Sequence, residues 1–139
     1  MTSPRADERI TKECMRYSRI YAGADGSSRF EDCELDGKLT EFASGIPPVL
    51  LSGPFACAGI LFVESPPQLG DDFKPEAHVT PRKQWVIVTS GRFAITVSDG
   101  TRKEVGPGSV ILLEDTTGRG HLTTPVTAEV VCAVIPFTD

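Results

Sequence analysis

The chain has 139 residues, a formal net charge of −5, 40% hydrophobic residues and 24% charged ones. That length makes one domain, large enough to bury a core without disulfide or metal staples. The acidic balance excludes a nucleic-acid partner, which needs a basic face, and no apolar run approaches the ~20 residues that cross a bilayer as a helix, so no membrane partner is expected.

Residues 1–12 read as a polar tail in which Pro4, Arg5, Asp7, Glu8 and Arg9 leave no apolar face, and residues 13–139 as the single domain. The tail has no apolar core of the kind a secretory signal carries, so a cytoplasmic location is the expectation. Two strands, 13–21 and 29–35, flank a strong turn signal at Gly23 to Ser28 and predict an opening hairpin. Residues 36–48 form a connection ending in Pro47-Pro48, which forbids ladder pairing, and 49–51 a short strand. Ile60, Leu61, Phe62 and Val63 give residues 55–64 a near-continuous apolar run, too short for an independent helix and therefore a buried strand, stopped by Pro66-Pro67.

Residues 84–90 and 93–98 are rich in Val, Ile, Phe, Trp and Thr and are broken by Ser90-Gly91, the composition of two adjacent strands in a hairpin. In the second, Phe93, Ile95 and Val97 alternate with small or polar residues, so one face packs on a core. Asp99-Gly100 is a two-residue turn that sends 101–105 back antiparallel. After Gly106-Pro107-Gly108, residues 109–113 are a short apolar run and so a buried strand, and 128–137 form a closing strand. Many short strands joined by tight turns make an all-β sandwich or barrel.

The four cysteines, Cys14, Cys33, Cys57 and Cys132, stand singly with no Cys-x-x-Cys pair, and in a reducing compartment they read as small buried hydrophobes. The chain has only two histidines, His78 and His121. Brought into one cavity, they suit acid and base roles, since an imidazole titrates near neutrality. Two neutral imidazoles also make half of a tetrahedral metal site, with Gln84 able to offer an amide oxygen and Asp71, Asp72, Glu76, Glu114 or Asp115 a carboxylate; such oxygen and nitrogen donors favour Fe, Ni, Zn or Mn. Arg82 and Arg119 either bind a substrate carboxylate bidentately or are solvated loop residues. Trp85 is either core or a stacking platform. Residues 114–121, Glu-Asp-Thr-Thr-Gly-Arg-Gly-His, are either a ligand-contacting loop or an Asx-type turn, and they lack the spacing of a phosphate loop.

The stretch from His78 to His121 resembles the core of a cupin. His78 falls on the first histidine of that family's first motif, Thr80 on the second, Gln84 on the glutamate and Gly91 on the closing glycine, while Pro107-Gly108 and His121 resemble the second motif. The resemblance covers roughly the second half of the chain. It implies a single-domain cupin-type jelly-roll β-barrel (double-stranded β-helix) holding a small-molecule ligand or substrate among His78, Gln84 and His121, with Thr80, Arg82, Arg119 and Trp85 around it. The pocket then holds either one divalent metal on His78, His121 and Gln84 or no metal, two of the family's four ligand positions being altered here, and the resemblance also implies a homodimer in which the opening hairpin pairs with the partner. The activity expected is that of an isomerase, cyclase or lyase acting on a small carbonyl or polyketide-like compound. A metal-dependent dioxygenase and a non-catalytic ligand-binding or sensing module are the alternatives, because a shared fold does not share a reaction.

Overall fold

The computed structural model describes residues 15–65 and 75–139. The expected polar tail, Cys14, the Pro66-Pro67 stop and the carboxylates Asp71 and Asp72 lie outside the described residues. Within them the β-branched and aromatic runs become strands wherever glycine or proline turns bound them: β1 Arg16–Ala22, β2 Ser28–Glu34, β3 Lys38–Thr40, β4 Val49–Leu51, β5 Leu61–Ser65, β6 Gln84–Ser90, β7 Phe93–Thr96, β8 Arg102–Val105, β9 Val110–Leu113, β10 Leu122–Pro125 and β11 Val130–Pro136. The chain is all-β, as its composition predicts, and no helix among the described residues is long and apolar enough to cross a membrane.

The strands form a six-stranded sheet in the order β2-β1-β9-β6-β11-β5, a three-stranded sheet β10-β7-β8 and a separate pair β3-β4. Every pairing is antiparallel except β1 with β9. From β6 onward the chain moves back and forth between the two larger sheets. Ile20, Val86, Val88, Ile111, Leu113, Cys132 and Val134 from the first meet Phe93, Ile95, Val97 and Val105 from the second in one core. Period-2 alternation is what lets each strand contribute to it. Among the described residues no sheet closes into a barrel.

Two expectations are corrected here. Residues 84–98 do not form a hairpin, because β6 pairs with β9 and β11 while β7 pairs with β8 and β10. At Arg92 the backbone carbonyl accepts hydrogen bonds from Val126 N and Thr127 N, and Arg92 N donates to Thr127 Oγ1. The place a returning strand would take is thus filled by residues 126–127, and the chain crosses to the other sheet. Residues 55–64 are not a buried strand either: β5 starts at Leu61, is the last strand of its sheet, and leaves Phe62 74% exposed. β3 and β10 arise where no strand was predicted.

Of the cysteines, Cys132 is buried on the inner face while Cys33 and Cys57 are half-buried. Burial pushes the Cys132 thiol above its ordinary value. A group raised in the folded state contributes stability below the unfolded value and loses it as pH climbs toward the folded one, so the fold weakens above about pH 8.5. Iodoacetamide at about pH 8 is expected to label Cys57 well before Cys132, as peptide mass mapping over time would show. Simultaneous labelling would contradict the placement of Cys132.

Candidate functional site

The two histidines meet where β9 ends and β6 and β10 begin. Beyond Leu113 the alternation of faces continues for two residues. Glu114 points outward, taking hydrogen bonds from Arg19 Nε at 3.2 Å and Nη2 at 3.1 Å, with Lys83 Nζ at 3.6 Å. Asp115 points inward and is 0% exposed. The segment before β6 runs alongside it, with Thr80 N donating to the Asp115 carbonyl at 3.0 Å.

The Asp115 carboxylate is shared between two buried side chains. Thr80 Oγ1 donates to Oδ1 at 2.7 Å and His121 Nδ1 lies 2.6 Å from Oδ2, with Thr80 1% and His121 3% exposed. With the carboxylate ionised it can only accept, and Nδ1 then carries the proton of the short contact. That leaves Nε2 of the neutral ring as a base. The carboxylate is also placed to stabilise the imidazolium formed when Nε2 takes a proton.

His78 and His121 pair reciprocally through their backbones, His78 N donating to His121 O at 2.9 Å and His121 N to His78 O at 3.0 Å. Their ring centres are 5.1 Å apart at 58°. His78 is exposed, with Nδ1 3.1 Å from the Val79 carbonyl. The two-residue bridge is that close because Gly120, at φ +74°, has no Cβ; one built there would overlap the His78 carbonyl. The 114–121 loop is held elsewhere by Ser28 Oγ donating to Gly120 O at 2.6 Å and Arg119 N donating to Gly26 O at 2.9 Å.

The remaining expected site residues fall in several places. Gln84 is half-buried, opposite Leu113 and Pro136, and so shares the inner face with Val86 and Val88. Thr80 has its hydroxyl committed to Asp115. Trp85 sits on the outer face of the six-stranded sheet, its ring centre 5.0 Å from Tyr17, 5.4 Å from Phe55 and 5.9 Å from Phe137. Arg82 donates to the Phe137 carbonyl at 2.7 Å and reaches Asp139 at 3.4 Å, tying the end of β11 to the start of β6. Arg119 lines a separate cleft of about 600 Å³ with Tyr21, Arg29 and Asp99.

For a metal, His78 and His121 provide two nitrogen donors. Asp115 is spent on Thr80 and His121, Glu114 on Arg19 and Lys83. Among the described residues no group of three His, Cys, Asp or Glu side chains is placed to hold an ion. Beside the two imidazoles, the neutral Gln84 amide is the remaining expected donor, and an amide oxygen is a weaker donor to a divalent cation than a carboxylate.

The residue that sequence reasoning undervalued is Asp115, which reads as a turn-closing or loop carboxylate. Nothing in the sequence beyond a separation of six residues links it to His121. Compared with known proteins, the chain matches no family model and no curated protein.

Proposed function

We propose that this chain is a small-molecule enzyme that moves a proton on a small carbonyl compound, in the manner of an isomerase, cyclase or lyase, on a cupin-type jelly-roll scaffold. The observation that carries the reading is the buried Asp115–His121 contact of 2.6 Å beside a second imidazole 5.1 Å away. Support for the scaffold is the chain's return from one of the two larger sheets to the other between β6 and β11, around one shared core.

In the proposed step His121 Nε2 removes a proton from the carbon next to the carbonyl. The C–H bond breaks, an N–H bond forms, and the electron pair moves onto the carbonyl oxygen. Asp115 stabilises the resulting imidazolium, and His78 in its protonated form returns a proton to the enolate at a different atom or to a leaving group. Two imidazoles at this separation can address two atoms of one small molecule, and opposite protonation states give them opposite roles. Gln84, on the inner face, orients a substrate oxygen.

The test is deuterium exchange into pentane-2,4-dione and acetoacetate, followed by proton NMR in D₂O. The protein is expected to accelerate exchange beyond the same concentration of free imidazole, and His121→Ala and His78→Ala to return it to that background. Acceleration indifferent to both replacements would sink the reading. A chain that binds such compounds but never exchanges them is a sensing module. Stoichiometric iron or nickel after purification, with activity lost on chelation, would move the assignment to a metal-dependent dioxygenase.

A further inference from the structure

Away from the histidine rings three connections of the chain meet: the β1–β2 turn at residues 23–27, the β7–β8 turn at 97–101 and the loop at 116–120. Hydrogen bonds between them make a fixed floor. Ser28 N donates to Ser98 Oγ at 2.7 Å, Ser28 Oγ to Gly120 O at 2.6 Å, and Arg119 N to Gly26 O at 2.9 Å. Ser28 is 1% exposed, so this joint is closed to water. Above it opens the cleft of about 600 Å³ that Tyr21, Arg29, Asp99 and Arg119 help to line, a size within the roughly 300–1,000 Å³ of small-molecule sites. Neither histidine borders it.

Charge around this cleft is unevenly matched. The chain has 19 acidic residues against 14 lysines and arginines, so carboxylates are in surplus. Each of the other arginines among the described residues, Arg16, Arg19, Arg29, Arg82, Arg92 and Arg102, accordingly has a carboxylate oxygen within 3.8 Å. Arg119 alone among the described arginines has none. Its backbone is pinned to Gly26, and its side chain stands exposed at the cleft. A guanidinium so placed offers a planar fork of donors, whose complement is a carboxylate or phosphate held by two parallel hydrogen bonds.

Asp25 and Asp99, which also line the cleft, discriminate between those two anions. Hydrogen bonds from Ser27 hold the Asp25 carboxyl below the usual carboxylate range and hydrogen bonds from Thr101 do the same for Asp99, with Arg29 adding a weaker attraction to each. The two carboxylates share that one arginine, which lies 3.7 Å from Asp25, so one negative charge stays unmatched. A phosphate dianion meets twice the repulsion there that a singly charged carboxylate meets. Tyr21 and Phe30 in the lining supply apolar surface for an organic body.

We infer that the cleft binds a small organic monocarboxylate, its carboxylate on the Arg119 guanidinium, at a site separate from the histidine pair. The carboxylate-binding role expected of Arg119 is thus exercised outside the pocket of His78 and His121.

The experiment is a titration of the nitrogen-15-labelled full chain with sodium benzoate at constant ionic strength, followed by amide shifts. Amides of residues 25–29, 98–101 and 118–119 are expected to move together and to saturate with a Kd on the order of 1 mM, the scale of one bidentate charged contact plus a small ring. Arg119→Gln is expected to weaken binding at least about tenfold, and Arg119→Lys by less, since lysine keeps the charge but loses the fork. Both replacements alter an exposed side chain, and unshifted amides elsewhere report that the fold is kept. Arg92→Gln, in an ion pair with Glu104 outside the cleft, leaves the affinity as it was. Inorganic phosphate at about pH 8 is expected to bind at least several-fold more weakly than benzoate. No saturable shift, equal affinity in Arg119→Gln, phosphate binding as tightly as benzoate, or shifts centred on residues 78–80 and lost in His78→Ala would each overturn the inference. The last of these would seat the carboxylate in the histidine pocket and leave the proton-transfer reading standing.

Discussion

Asp115→Ala is expected to destabilise the fold by roughly 3–5 kcal/mol and to abolish proton exchange. Thr80 and His121 are almost fully buried, and each gives its side-chain proton to this one carboxylate. Removing the acceptor strands two buried donors, and each costs about 1–3 kcal/mol when it can reach no water. Asp115→Asn separates the structural part of this role from the chemical part. An amide can still accept from His121 with its oxygen and donate to the Thr80 oxygen, so only the Thr80 hydroxyl proton loses its acceptor and the loss of stability is about 1–2 kcal/mol. The negative charge that stabilises the imidazolium is gone, however. The exchange rate is then expected to fall by roughly 10²–10⁴-fold, the usual range for losing assistance to an acid–base group. Urea unfolding checks the first figure and deuterium exchange the second. Nitrogen-15 shifts of the imidazoles supply a readout that a purely structural role would not move. The unmodified protein should show His121 with its proton on Nδ1, and Asp115→Ala should release it to a mixture of tautomers. An alanine variant as active as the parent, with His121 unchanged, would remove Asp115 from the mechanism.

The same cluster shows what a sequence can and cannot disclose. β6, β7, β9 and β11 were legible because alternation or continuous apolar character in a short window is a local property. Which strands pair is not local. Ser90-Gly91 reads as a hairpin turn, and only the return of residues 126–127 to Arg92 directs the chain to the other sheet. The run at 60–63 was legible as something that must leave water, but not as something left open by its own domain; an apolar strand reads alike whether its own domain or another molecule covers it. The two histidines were expected in one enclosed cavity; their rings lie 5.1 Å apart, with His121 buried and His78 exposed. What makes them chemically unequal was not anticipated. Thr80 lies 35 residues before Asp115, and nothing in an Asp-Thr-Thr-Gly loop announces that a hydroxyl from so far away will turn its carboxylate from solvent toward an imidazole.

Gly120→Ala is expected to cost roughly 3–5 kcal/mol, in the range where a single replacement signals a defined steric failure. Two effects combine at this position. An alanine at φ +74° pays for a left-handed backbone, about 1–2 kcal/mol. Its Cβ would also overlap the carbonyl of His78, a backbone atom that cannot step aside without breaking the reciprocal hydrogen bonds between the two histidine segments. Gly100→Ala isolates the first effect, because Gly100 has φ +88° and a Cβ there would meet nothing within 4 Å. That variant should lose only the conformational part, and the difference between the two measures the steric one. In melting temperature the Gly120 variant should fall on the order of 10 °C, and in urea its midpoint should drop with an unchanged slope. Because the break occurs at the bridge itself, the nuclear Overhauser contact between the two imidazoles should vanish in Gly120→Ala and persist in Gly100→Ala. Equal losses in the two variants would mean that the His78 and His121 segments are not as close as 2.9–3.0 Å backbone hydrogen bonds require, and the pairing on which the proposed chemistry rests would have to be given up.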